Sequence, residues 1–290
     1  MKNTKIRWSN ATLNSMIGCE HVSEGCDHCY ADALATKYAG KVGWPGSFEE
    51  GLWKPQKLDD LRKWARNARS IGPSRVFFNS LSDVFWERWT TEMIDACFDA
   101  MVSIPDHDYL VLTKRPRQAA RYFLGGQGRD GIQADGWLAR RGLSEVPDQI
   151  WLGTTIELDK YAFRADWLRR IPVLVRFISA EPLLGPLPSL NLDGLGWVIT
   201  GGESGNGSRN FRPMDPAWAS ELVDRCAAAG VAHFFKQDSG VRTEMRMDLL
   251  GRLIEEYPLA HPTLHGGHRV LGIHHNETPV TIGPDQGSLL

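Results

Sequence analysis

Cys19, Cys26 and Cys29 fall within eleven residues, in the run Gly18-Cys19 to Gly25-Cys26-Asp27-His28-Cys29-Tyr30. Three thiolates at such short range can fill three corners of a tetrahedral or cubane site and leave the fourth to something that is not cysteine. A [4Fe–4S] cluster held by three thiolates keeps one iron open, and an open iron can chelate a small molecule. The spacing, C-x6-C-x2-C, also admits a structural zinc site of three cysteines and one histidine, with His21 and His28 both in reach. Zinc sites more often use two separated C-x2-C pairs, and the chain has one. Cys97 and Cys226 lie far off inside apparent helices and read as small buried hydrophobes.

A site of either kind needs a frame, and the hydropathy pattern supplies one. Short runs rich in β-branched and aromatic residues recur at Arg75–Phe78, Tyr109–Leu112, Ile150–Gly153, Val173–Ile178, Trp197–Thr200 and His233–Phe235. Runs of this length and composition are expected of strands buried on both faces. Amphipathic patterns lie between them at Thr91–Met101, Leu158–Arg170 and Pro216–Ala229, the last opened by an Asp215 cap with proline at its first position and closed at Gly230. Alternation of this kind predicts a parallel sheet with crossover helices. With one strand before Cys19, the fold class expected is α/β, a full or partial (β/α) barrel over residues 1–242, followed by an irregular extension over residues 243–290.

Polar and ionisable residues follow each strand in turn: Asn79 to Asp83, Thr113 to Arg115, Thr154 to Glu157, Ser179 to Glu181, Gly201 to Ser204, and Lys236 to Asp238. In a parallel barrel those ends share one face, where the active site is built. Helix capping alone explains one such residue but not six strands in succession. The histidines of the extension, His261, His265, His268, His274 and His275, match no ligand spacing and read as surface.

At 290 residues with a formal charge of −2, the chain has neither a global basic field nor an apolar run of the ~20 residues a membrane span needs. The first residues lack an apolar core, and an odd cysteine count argues for a reducing compartment, so a cytoplasmic location without membrane contact is expected. Local basic clusters such as Lys114 to Arg117 leave a nucleic-acid substrate open.

A polar barrel mouth favours the cluster over the zinc clip, because S-adenosylmethionine (SAM) bound to an open iron needs such a cavity and a clip does not. The motifs point further. Lys5 to Trp8, Leu13-Asn14, Gly18-Cys19, Gly25 to Ala31, Ser80 to Asp83, Leu112 to Pro116, Ala180 to Pro186, Gly201 to Gly205, Arg212-Pro213 and Phe234 to Gln237 together resemble a phage and bacterial family of radical-SAM-like proteins. The resemblance spans roughly residues 5–258. Two places depart from the family's pattern: Leu13-Asn14-Ser15 stands where members read Trp-Asn-Pro, and Asp238-Ser239 follows Lys236-Gln237 where they read Trp-Gly.

The resemblance implies a [4Fe–4S] cluster on Cys19, Cys26 and Cys29, reductive cleavage of SAM to a 5′-deoxyadenosyl radical, and hydrogen abstraction from substrate. The Gly-Gly-Glu that usually holds the methionine amine follows a much later strand here. Ser80, Ser82 and Asp83 are therefore expected at the amine, Lys114 or Arg115 at the carboxylate, and Thr154 and Glu157 at the ribose. Glu181, Glu203 and Lys236 are the candidate catalytic groups, with Gln237 and Arg212 on substrate. A flavodoxin- or ferredoxin-like electron donor is implied, and phage context suggests a modified DNA or nucleotide substrate, such as an amino-acid-decorated thymine isomerised through its radical. The competing expectation is a zinc- or cluster-stabilised barrel with no catalysis, serving as a phage–host interaction protein.

Overall fold

Each apolar run becomes a strand. In a computed structural model describing residues 2–4, 6–68, 73–127, 133–205, 207, 209–259, 263–265, 268–270 and 273–275, the main sheet comprises β1 (Lys2–Asn3), β2 (Ala11–Leu13), β3 (Arg75–Phe78), β4 (Asp108–Thr113), β5 (Ile150–Thr155), β6 (Arg176–Ala180), β7 (Trp197–Gly201) and β8 (Ala232–Gln237). Strands β2 to β8 are parallel and paired in chain order, and β1 joins β2 antiparallel. Helices α1 (Tyr30–Lys37), α2 (Gln56–Ala68), α3 (Thr91–Val102), α4 (Pro116–Leu124), α5 (Trp137–Arg141), α6 (Phe163–Arg169) and α7 (Pro216–Ala229) lie in the connections.

The two-residue period of the strands sorts their side chains between two cores. Val76, Phe78, Val111, Leu152, Ile178 and Phe235 meet helix residues such as Phe98, Phe123, Leu168 and Leu222, with Cys97 and Cys226 buried among them. The alternate set, Phe77, Leu110, Trp151, Phe177, Trp197, Ile199 and Phe234, gathers with Trp8 and Tyr257. Trp8 shows that the sheet is curled. Its ring lies 4.7 Å from Phe77 on β3 and 6.3 Å from Trp197 on β7, whereas a flat sheet would hold those strands roughly 19 Å apart. The seven parallel strands thus form a half-barrel, the partial (β/α) barrel expected. Aromatic rings plug its hollow, and polar residues stand at its mouth.

Register places Gly153 of β5 opposite Phe177 of β6, and a Cβ on Gly153 would come within 2.3 Å of the Phe177 ring. Gly153→Ala should therefore overpack the plug and destabilise by about 1–3 kcal/mol. The check is a lower urea midpoint at unchanged m.

Helix α7 begins and ends as read: Asp215 accepts from Ala217 N at 2.9 Å, Pro216 opens the helix, and Gly230 takes the left-handed φ of 66°. The Leu158–Arg170 pattern divides into a 3-10 turn at Asp159–Tyr161 and then α6. The carboxylate of Asp159 is turned to Ser189, accepting from its N and Oγ at 2.8 and 2.7 Å. Beyond Arg242, where an irregular extension is expected, the described residues include paired strands. Glu256–Pro258 pairs with Ile273–His275, Thr263–His265 pairs with His268–Val270, and Phe235 N donates to Ile254 O at 2.9 Å. His261 lies outside the described residues. Among the described residues, no helix is long and apolar enough to cross a membrane.

Candidate active site

A cavity of about 270 Å³ opens at the C-terminal ends of the strands. Cys19, Cys26 and Cys29 line it together with the strand-end residues Ser80, Ser82, Asp83, Lys114, Arg115, Glu181, Glu203, Lys236 and Gln237. The topology brings them together because every parallel strand delivers its C-terminal end to the same rim.

The cysteine loop is built before it reaches that rim. Gly18 holds a φ of 114°, and a Cβ there would sit 2.5 Å from Phe48 O, so glycine is required for the close passage. Gly18 N donates to Leu81 O at 3.0 Å and Cys19 N to Phe48 O at 3.2 Å. Cys26 closes a 3-10 turn, its N donating to Ser23 O at 2.8 Å, and Cys29 N donates to Cys26 O at 3.1 Å. Cys29 then caps α1. Burial pushes the Cys29 thiol upward, against the N–H groups of Asp32 and Ala31 at that helix start. Burial and then the Asp83 carboxylate push Cys19 up to about 12, opposed by Arg115.

Side chains from successive strand ends fasten the loop. After β3, Asp83 accepts from Thr113 Oγ1 at 2.7 Å, Lys114 N at 2.9 Å, Phe85 N at 2.9 Å and Arg115 Nη1 at 3.3 Å. After β4, Arg115 Nη2 donates to Glu20 O at 3.1 Å, and Lys114 Nζ meets Glu157 Oε1 at 3.0 Å. After β5, Glu157 also receives Arg164 Nη1 at 2.8 Å and the Ser23 hydroxyl. Gly25 packs on this pair, since a Cβ there would lie 2.6 Å from Glu157 Oε1 and 2.7 Å from Lys114 Nζ. After β7, Glu203 lies 2.8 Å from His28 Nδ1, accepts from Arg212 N at 2.8 Å, and pairs with the Arg212 guanidinium. Arg212 continues to Asp27 at 3.3 Å.

Three of the residues expected at the ligand, Thr154, Glu157 and Arg212, do not line the cavity, and others line it with their polar atoms engaged by the protein. Thr154 donates to Thr113 O at 2.8 Å and is fully buried, off the cavity wall. Its neighbour Thr155 lines the cavity instead, because adjacent strand residues face opposite ways. Glu157 is fully buried among Lys114, Arg164 and Ser23 and does not line the cavity. Asp83 is saturated by its four donors, while Ser82 Oγ donates to Gly18 O at 2.6 Å and accepts from Trp89 Nε1 at 3.1 Å. Ser80 Oγ donates to Asn14 Oδ1 at 3.2 Å. Gln237 Nε2 donates to Gly202 O at 3.0 Å, and its Oε1 accepts from Thr243 Oγ1 at 2.9 Å and Glu244 N at 2.6 Å. Arg212 stands behind Glu203, off the cavity wall.

On the same cavity, Glu181 Oε1 and Lys236 Nζ pair at 2.8 Å, with Ser179 Oγ donating to Glu181 Oε2 at 3.1 Å. Gly201 lies between them. A Cβ there would meet Glu181 Oε1 at 3.1 Å and Lys236 Cβ at 3.5 Å. Trp86 and Trp89 are buried in the core. Ser23, Arg164 and Thr155 carry no motif of their own; for Thr155 the alternation within β5 is the signal.

Burial alone would raise the Glu157 carboxyl, but Lys114 and then Arg164, with the Ser23 hydroxyl, hold it below its ordinary value. A depressed folded value stabilises the protein fully above the ordinary 4.5 and loses that contribution as pH falls through the lower folded value. Glu157→Gln should thus lower Tm by a constant amount at neutral pH, with the gap to wild type shrinking once pH drops below 4.5. Paired thermal melts across that range are the check.

Among the described residues, no three His, Cys, Asp or Glu side chains are gathered as ligands of a single ion. The model of the DUF5131 family, described as a protein of unknown function, matches residues 3–267. The chain belongs to that family. No curated protein matches this DUF5131 member. Among solved structures, it is similar to spore photoproduct lyase complexed with dinucleoside spore photoproduct, with a TM-score of 0.43 at 10% identity, covering 69% of this chain and 57% of that one. A mutant of that lyase gives a TM-score of 0.42 at 11% identity over the same shares. The DUF5131 chain therefore spans less than two thirds of those lyase chains.

Proposed function

We propose that this DUF5131 protein is a radical SAM enzyme. The observation that carries the reading is the shared wall: the three thiols of one short loop open on one cavity at the mouth of a parallel half-barrel. The donor set suits a [4Fe–4S] cluster, in which each of three irons takes one thiolate and the fourth is left for a ligand from the cavity. When bound, the cluster supplies the electron that cleaves SAM and yields a 5′-deoxyadenosyl radical able to take hydrogen from substrate.

The chain's own residues prepare that event. Cys19, Cys26 and Cys29 hold the metal group. The Asp83, Glu157 and Glu203 networks fix the loop that carries them, so that ligand geometry is set by protein contacts from three strand ends. The aromatic plug beneath the cavity closes the hollow from below and keeps water from a reactive centre. The Glu181–Lys236 pair offers one charge of each sign to the same cavity. That pairing suits a zwitterionic substituent, such as the amino-acid arm of a modified thymine in DNA or a nucleotide, and a flavodoxin- or ferredoxin-like protein would deliver the electron.

The reading is tested by loading the protein with iron and sulfide, reducing it without oxygen and adding SAM. Formation of 5′-deoxyadenosine with methionine supports it, and intact SAM contradicts it. Deuterium passing from an amino-acid-decorated thymine nucleotide into 5′-deoxyadenosine would support the substrate class; deuterium arriving only from an unrelated metabolite would exclude it.

A further inference from the structure

Arg115 is a buried cation, only 5% exposed, packed against the thiol of Cys19. Its Nη1 reaches Cys19 Sγ at 3.3 Å and Asp83 Oδ2 at 3.3 Å, its Nη2 donates to Glu20 O at 3.1 Å, and its Nε donates to Glu87 Oε2 at 3.1 Å. A guanidinium has five N–H donors, and four are engaged by the protein. That leaves no free fork for the bidentate grip of a carboxylate. The guanidinium faces the loop that would carry the cluster and is held there on a second side by two carboxylates.

We propose that Arg115 is a positioning residue for Cys19, donating to its sulfur and setting the reduction potential of the cluster that Cys19 holds. The inference rests on the radical SAM reading. Hydrogen bonds to the sulfurs and the net charge around a cluster set its potential, and a buried charge is screened little by solvent. A guanidinium against a ligand sulfur withdraws electron density and favours the reduced state. Asp83 and Glu87 hold the fork in place and set two negative charges against its positive one, which stands nearest the sulfur, so the potential reflects the balance of the three. Glu87 is the adjustable member because its side chain is 30% exposed, against 7% for Asp83.

The test is a redox titration of iron- and sulfide-loaded wild type, Arg115→Gln and Glu87→Gln, following the cluster by EPR without substrate. In Arg115→Gln the ratio of reduced to oxidised cluster at the wild-type midpoint should fall at least tenfold, equivalent to about 59 mV more negative for a one-electron couple. Glu87→Gln should move the midpoint the opposite way. Midpoints coincident with wild type in both variants would overturn the inference. So would weakened SAM binding in Arg115→Gln at an unshifted midpoint, which would return Arg115 to the methionine carboxylate. If Arg115→Gln does not fold, the sign of the Glu87→Gln shift decides alone. A wild type that loads no cluster overturns the radical SAM reading itself, and this is seen before any variant is compared.

Discussion

Cys26→Ser should abolish cluster loading and SAM cleavage while leaving the fold standing. Sulfur-to-oxygen exchange removes the thiolate that would hold one iron under the radical SAM reading, and no neighbouring cysteine replaces it, since Cys97 and Cys226 are fully buried in the helix-facing core. The Cys26 sulfur approaches Ser23 Oγ at 3.9 Å, and the surrounding turn is held by backbone bonds that serine keeps. Iron and sulfide content should fall at least tenfold and 5′-deoxyadenosine should drop below detection. The melting temperature should move by no more than about 2–4 °C, corresponding to a cost near 1 kcal/mol. A metal-stapled barrel would behave differently, losing its circular dichroism when the staple is cut.

Asp83→Ala should do the reverse, collapsing stability and cluster loading together. The carboxylate is 6% exposed and gathers the hydroxyl of Thr113, the backbone N–H groups of Phe85 and Lys114, and the guanidinium of Arg115. Removing it leaves a buried guanidinium short of a partner and several buried donors unsatisfied. Breaking a buried pair in this way costs about 3–5 kcal/mol, or roughly 10 °C of melting temperature for a chain of this size. Thermal denaturation followed by iron analysis reads both effects. Because Arg115 also ties Glu20 and Cys19, the cysteine loop should lose its seat even where the barrel survives.

The contrast between these two variants explains what the sequence made legible. A thiol motif is local, and so is a strand: Arg75–Phe78 carries its pattern in four consecutive residues, and the half-barrel follows from repeating that signal. Polar residues at the strand ends were visible for the same reason. Their assignments were less so, because a carboxylate's role depends on what other segments bring to it. Glu157 looked placed for a ribose until Ser23, Lys114 and Arg164 closed around it from three parts of the chain. Glu203 lines the cavity, and it is also engaged by His28 from within the cysteine motif and by Arg212. Thr154 and Thr155 are indistinguishable in sequence, because composition marks a strand end without fixing which neighbour faces inward. Long-range ion pairs leave no periodicity to read.

Several of those pairs serve one purpose, the seating of the cysteine loop, and the measurement that bears most directly on that purpose is spectroscopic. Wild-type protein reconstituted with iron and sulfide, reduced without oxygen, should show a [4Fe–4S] EPR signal that changes when SAM is added, because an iron left open by the three thiolates would face the cavity that they line. Stoichiometric zinc with no cluster, or a cluster signal indifferent to SAM, would contradict that account.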